Sequence, residues 1–203
     1  MNGEGSVKYT CERIVAPPAA FEGFEELNEC RNRLHELGLI GVYPDGIGYG
    51  NISLREGRSP RFHISGAGTG HLPKLGLEHY ARVLDFDFAR NWVKCEGPVQ
   101  ASSESMTHAA VYLAAPEAAA VIHVHDLGLW QRLLDRVPTT SPTVEYGTPK
   151  MAAEIGRLFC ESDVRERKII AMAGHREGLV TFGARIEEAM ERLLAVLRTD
   201  GAA

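Results

Sequence analysis

"AAVIHVHD", residues 119–126, decides the fold. It is a short apolar run carrying imidazoles at two alternate positions. Read as a strand, it sends His123 and His125 to one face of a sheet and Ile122 and Val124 to the other. Side chains two apart on one strand face stand about 6.5–7 Å apart, near enough for both rings to lean onto one metal ion. The strand is bracketed by helices. "SSESMTHAAVYLAAP" (102–116) opens with serines suited to capping and stops at a proline, and "LGLWQRLLDRV" (127–137) follows.

The same punctuation organises the rest of the chain. "FEGFEELNECRNRLHELGL" (21–39) repeats apolar residues at three and four and reads as an amphipathic helix. "GVYPDGIGYG" (41–50) is turn chemistry, followed by the strands "NISLRE" (51–56) and "PRFHIS" (60–65). "ARVLDFDF" (81–88) and "NWVKCE" (91–96) alternate as a hairpin does. "TPKMAAEIGRLFCES" (148–162) starts a helix at Thr148 with Pro149 in its first turn. "RKIIAMAG" (167–174) and "GLVTFG" (178–183) are strands flanking His175, and "ARIEEAMERLLAVLRTD" (184–200) closes the chain as a helix. Strands that follow each other directly, mixed with helices, indicate one mixed sheet covered by helices rather than a βαβ series. Residues 1–20, rich in Gly, Pro and polar side chains, read as a loosely ordered arm, and 21–203 as a single domain.

Composition narrows the function. The chain has 203 residues, 44% hydrophobic and 24% charged, with a net charge of −5. That balance argues against nucleic acid or an anionic membrane as the main partner. Its four cysteines are widely spaced without a CxxC pair and read as reduced thiols of a cytoplasmic protein. No apolar run reaches membrane-spanning length.

Three further features carry chemistry. His175 ends an apolar strand beside glycines; it reads alone as a surface-loop residue or as a third ligand that leaves one position open, as in a catalytic zinc-type site. Ser102 and Ser103 at a helix start, with Glu104 after them, read either as plain helix caps or as a seat for an anion such as phosphate. "HISGAGTGH" (63–71) is a strand entering a glycine-rich loop able to wrap phosphate with main-chain N–H groups. The loop lacks GxGxxG spacing, which excludes a nicotinamide-cofactor reading.

The order of these features resembles the class II aldolase/adducin family. The resemblance is carried by "GYGNISLR" (48–55), "SSESMTHAAVY" (102–112), "AAVIHVHD" (119–126) and "GLVTFGARIEEAMERL" (178–193). It implies a three-layer α/β/α fold around a mixed, largely antiparallel sheet. It implies His123, His125 and His175 as ligands of a divalent metal, most often Zn2+, and Glu104 as the acid/base residue. Asn51, Ser102 and Ser103 would hold a phosphate, together with either Ser65–Gly66 or Thr69–Gly70. The implied activity is a metal-dependent aldolase (a lyase of carbohydrate metabolism) interconverting a ketose 1-phosphate with dihydroxyacetone phosphate and an aldehyde through a metal-stabilised enediolate. Glutamate after the paired serines favours aldolase over the family's epimerases, while dehydratase or decarboxylase outcomes, and a non-catalytic adducin-like interaction domain, are the alternatives. The resemblance also implies a homotetramer whose aldolases take a proton-donating tyrosine from a neighbouring subunit, for which Tyr146 is the nearest candidate here. One departure stands out: Arg176 and Glu177 separate His175 from Gly178, where the family pattern has histidine followed at once by glycine.

Overall fold

The computed structural model describes residues 7–198. In chain order the elements are β1 (Thr10–Val15), α1 (Phe24–Glu36), β2 (Gly41–Val42), β3 (Gly48–Tyr49), β4 (Asn51–Arg55), β5 (Phe62–Ser65), β6 (Tyr80–Asp87) and β7 (Trp92–Gly97). Then come α2 (Ser105–Ala114), β8 (Ala120–His125), α3 (Leu127–Leu133), α4 (Pro149–Glu161), α5 (Val164–Arg167), β9 (Ile169–Ala171), β10 (Gly178–Gly183) and α6 (Ile186–Arg198). Eight strands form one sheet in the order β1-β7-β6-β5-β4-β8-β10-β9, and β2 pairs with β3 in a small separate ribbon. Only β1 and β7 run parallel; the other pairings of the large sheet are antiparallel.

Alternation along the strands builds a core on each face. On one face Val121, Val180 and Phe182 pack with Met106 and Ala109 of α2 and with Ile155 and Phe159 of α4. On the other, Ile52, Ile122 and Leu179 pack with Leu27 and Leu34 of α1 and with Ala189 and Leu193 of α6. The result is the three-layer α/β/α arrangement. Every residue of β8 and β10 is buried, so the histidine-bearing strand is mounted at the centre of the sheet. No helix among the described residues is long and apolar enough to cross a membrane.

Sequence and structure part company most clearly at three places, besides the unexpected β2–β3 ribbon and the short helix α5. Residues 10–15, expected within a loosely ordered arm, form the edge strand β1, in register from Thr10 opposite Trp92 to Val15 opposite Gly97. Ile14 and Val15 are exposed, so no burial period announces the strand. Main-chain pairing and the buried ring of Tyr9 hold it instead. Residues 1–6 of the expected arm lie outside the described residues. The serines at 102–103 do not cap α2: Glu104 takes the N-cap position without a side-chain capping bond, and the helix begins at Ser105. Finally, α3 ends at Leu133 rather than near Val137, because Asp135 adopts a left-handed φ of 59° and its N–H turns to Thr139 Oγ1 at 3.0 Å.

Candidate metal centre and its cavity

His123 sits mid-sheet, opposite Asn51 of β4 on one side and Val180 of β10 on the other. His125 ends β8 opposite Gly178. His175 lies in the turn between β9 and β10, where its N–H donates to Met172 O at 3.0 Å and its carbonyl accepts from Gly178 N at 2.9 Å. The three rings converge, with centroids 4.9 Å (123–125), 5.1 Å (123–175) and 4.6 Å (125–175) apart. One nitrogen from each lies within 4.8 Å of the others, an arrangement able to hold a metal ion.

The hydrogen bonds fix where the ring protons are. His123 Nδ1 is 3.1 Å from the carbonyl of Leu179, which can only accept, so Nδ1 carries the proton. His125 Nδ1 is 2.8 Å from the Tyr43 hydroxyl, which in turn donates to Glu177 Oε2 at 2.7 Å. A phenol has one proton to give, so His125 Nδ1–H donates to Tyr43. The two Nε2 atoms are therefore bare lone pairs, and they face each other at 3.1 Å. Neither has a proton for the other; a cation between them resolves the contact. Nitrogens bound to one tetrahedral zinc at about 2.0–2.1 Å stand about 3.3 Å apart, so the donor set fits such an ion. Burial also keeps the imidazoles in the neutral, ligating form. It lowers the pKa of His123 to about 4 and holds those of His125 and His175 well below the usual histidine range.

Glu104 stands beside this cluster. Its carboxyl is buried, and desolvation raises its pKa to about 7 against the hydrogen bond that Thr107 Oγ1 donates to Oε2 at 2.5 Å. Its other oxygen, Oε1, is 3.7 Å from His175 Nδ1, and neither of those atoms has a hydrogen-bond partner. Asn51 Oδ1 is a third orphaned buried atom at the same place. Buried polar atoms are rarely left so, and three of them around one point mark a ligand position.

All of this opens into a cavity of about 380 Å³. Asn51, Gly66, Thr69, Gly70, Ser102 and Ser103 line it together with Glu104 and the three histidines. Ser65 is not among the lining residues; its Oγ accepts the N–H of Ile52 at 3.2 Å beneath the wall. Of the two serine/threonine–glycine pairs, only Thr69–Gly70 thus presents both members to the cavity. The loop is pinned from below by the buried Arg31, whose guanidinium donates to Thr69 O at 3.0 Å and to Leu72 O. Gly70 admits no side chain, since a Cβ there would lie 2.2 Å from Gly41 O. The Ser102 segment is located by Tyr9, whose hydroxyl lies 2.9 Å from both Ala101 O and Ser102 O.

Tyr146 also lines the cavity of its own chain. Its ring stacks on His175 at 4.1 Å and 21°, and Lys8 Nζ lies over the ring at 3.7 Å. Several contributors escape a reading of the sequence: Tyr43, Tyr49, Thr107 and Lys8; Glu177 is visible there only as an insertion after His175, without its bond to Tyr43. The tyrosines of "GVYPDGIGYG" look like turn residues, yet β2 and β3 pair Gly41 with Tyr49, bringing the Tyr43 and Tyr49 rings to 4.5 Å. Two aromatics flanking a glycine-rich turn were the available signal.

A mixed sheet with a trio of buried imidazoles able to hold a metal ion, and a carboxylate beside them, places the protein in the α/β class. Residues 25–199 match the class II aldolase and adducin N-terminal domain, and the chain belongs to that family. No curated protein matches the sequence. Among solved structures, an L-fuculose 1-phosphate aldolase is similar over 91% of this chain and 90% of its own, with 18% identity and a TM-score of 0.65. A sugar-phosphate aldolase from Thermotoga maritima matches over 86% of this chain and 90% of its own, with 16% identity and a TM-score of 0.66. An l-fuculose-1-phosphate aldolase from Thermus thermophilus matches over 85% of each chain, with 21% identity and a TM-score of 0.56. At these identities the likeness is one of fold.

Proposed function

We propose that this protein is a metal-dependent aldolase that splits a ketose 1-phosphate into dihydroxyacetone phosphate and an aldehyde, and runs the reverse condensation. The observation that carries the reading is the pair of bare Nε2 atoms 3.1 Å apart beside a buried carboxylate with an orphaned oxygen. His123, His125 and His175 would hold a divalent ion, and an all-imidazole donor set suits zinc. When bound, the ion supplies Lewis-acid polarisation of the substrate's carbonyl and neighbouring hydroxyl.

The residues of the chain do the rest. Thr69, Ser102, Ser103 and Asn51, with the main-chain N–H groups of residues 68–70, bind the phosphate and so fix the sugar's register against the histidines, while the N–H groups of Gly66 and Ala67 are given to His79 O and Gln100 O and shape the loop. Ser65 acts beneath the loop and binds through its neighbours only. On cleavage the C4 hydroxyl loses its proton, the C3–C4 bonding pair moves to C3, and C3 gains a proton. Glu104, next to His175 and shielded from water, is the group that delivers or removes the proton at C3. Tyr146, stacked on His175 inside the same chain's cavity, would serve as donor to the aldehyde oxygen in condensation. A cytoplasmic homotetramer accompanies this reading.

Purified protein assayed for bound metal and for release of dihydroxyacetone phosphate from a panel of phosphorylated ketoses tests it. Glu104→Gln should keep metal and fold while losing roughly 10²- to 10⁴-fold in turnover and in proton exchange at C3. Activity that survives both metal removal and Glu104→Gln overturns the proposal. Loss of water or carbon dioxide from the substrate, in place of dihydroxyacetone phosphate, would reassign the reaction within the family.

A further inference from the structure

We propose that Tyr43 and Glu177 are a positioning pair that holds His125 in its Nδ1-protonated tautomer, so that Nε2 is always the nitrogen presented to the metal. The inference rests on the reading of the three histidines as metal ligands and extends it to residues outside that set. Its basis is a linear chain of three groups. Glu177 Oε2 accepts the Tyr43 hydroxyl proton at 2.7 Å, and the Tyr43 oxygen, 2.8 Å from His125 Nδ1, accepts the ring N–H. Each link has one allowed direction, because the carboxylate only accepts and the phenol has one proton. An ionised carboxylate at the end of the chain increases the electron density on the phenol oxygen and through it the basicity of the imidazole.

Both partners are held where this function needs them. Tyr43 is clamped in the β2–β3 turn, its N–H donating to Ile47 O at 2.8 Å and its carbonyl accepting from Gly46 N at 2.9 Å. Its ring packs on Tyr49, whose own ring lies 5.5 Å from His125. Glu177 occupies a left-handed conformation, φ 70°, which a residue with a side chain adopts at a cost. A glycine would fit that backbone without strain; a glutamate there reaches Tyr43. The main chain of Glu177 serves the same end, since its carbonyl accepts from Asp126 N at 3.1 Å, immediately after His125. One residue of the His175–Gly178 turn is thereby tied both to the strand end that carries His125 and, through Tyr43, to the ring itself.

The test uses the full chain and two independent readouts. In metal-free protein, ¹⁵N shifts of the imidazoles report the tautomer directly: His125 is expected as Nδ1–H in the parent and as a mixture in Tyr43→Phe and Glu177→Ala. In competition with a chromophoric chelator, Tyr43→Phe and Glu177→Ala should each weaken Zn2+ binding by about 10- to 100-fold. The double variant should lose little more than either single one, because both act through one hydrogen bond. Glu177→Gln keeps an acceptor for the Tyr43 hydroxyl without the charge, so it should keep the Nδ1–H tautomer of His125 and lose only the part of the zinc affinity that the charge supplies. Unchanged tautomer and zinc affinity within twofold of the parent in both single variants would overturn the positioning pair while leaving the metal reading intact. A parent that binds no zinc, yet loses the Nδ1–H tautomer on Tyr43→Phe, would overturn the metal reading and leave the pair standing.

Discussion

At Gly178 the rings of His123 and His175 leave little space for a side chain. A Cβ there would fall 3.1 Å from His123 Cε1, 3.1 Å from His175 Nδ1 and 3.0 Å from His175 O. Gly178→Ala should therefore push two imidazoles apart without touching Thr69, Ser102 or Ser103. The expected result is a roughly tenfold or greater drop in zinc retention, measured by chelator competition, with overpacking costing about 1–3 kcal/mol in denaturant unfolding. Retention equal to the parent would mean the rings have room to give. At this scale the sequence was most legible where chemistry is declared by residue type. His123, His125, His175 and Glu104 come together in one cavity, with Asn51, Gly66, Thr69, Gly70, Ser102 and Ser103 around them. It was least legible where a residue acts through another: Tyr43 and Glu177 lie far apart in the chain, and only the packing of the β2–β3 turn beside the β9–β10 turn brings them within hydrogen-bonding distance.

Among the elements, period and punctuation placed most of the buried strands and helices, though not every cap or end. "GLVTFG" is β10 residue for residue, and Thr148 caps α4 by accepting from Met151 N, with Pro149 in the first turn. β1 is the instructive failure, since an edge strand held by main-chain pairing leaves no apolar period to read. Its importance exceeds its signal, because Tyr9, just ahead of it, fixes the carbonyls of Ala101 and Ser102. Tyr9→Phe removes that tether from a buried ring. It should cost about 1 kcal/mol of stability and raise KM for a phosphorylated substrate while leaving kcat near the parent value. A variant with unchanged KM would detach β1 from substrate binding.

The molecule as a whole is built to lose stability in acid. His108 is fully buried against Ser53 Oγ at 2.6 Å, and desolvation holds its pKa well below the usual 6.5. The unfolded chain takes up a proton near that value that the folded chain refuses, so stability falls as pH drops below about 6.5. Glu56 beside Arg82, Glu154 beside Arg157 and Glu188 beside Lys168 have pKa values lowered from 4.5, so their contribution is present above that pH and lost beneath it. In metal-free protein the three cavity imidazoles act in the same sense, and Glu104, raised to about 7, opposes them. The urea midpoint measured in chelator should be lower at pH 5.0 than at pH 7.5, and an equal or higher midpoint at pH 5.0 would contradict this account.

Lys8 over the Tyr146 ring has a consequence for the design of variants. Any substitution at Lys8 alters the charge and bulk that cover the ring face of Tyr146. A substitution on α6, which packs with α1 in the other core cluster, leaves that ring face alone. The contrast between the two is a gauge of how far the Tyr146 side of the cavity depends on its lysine cover.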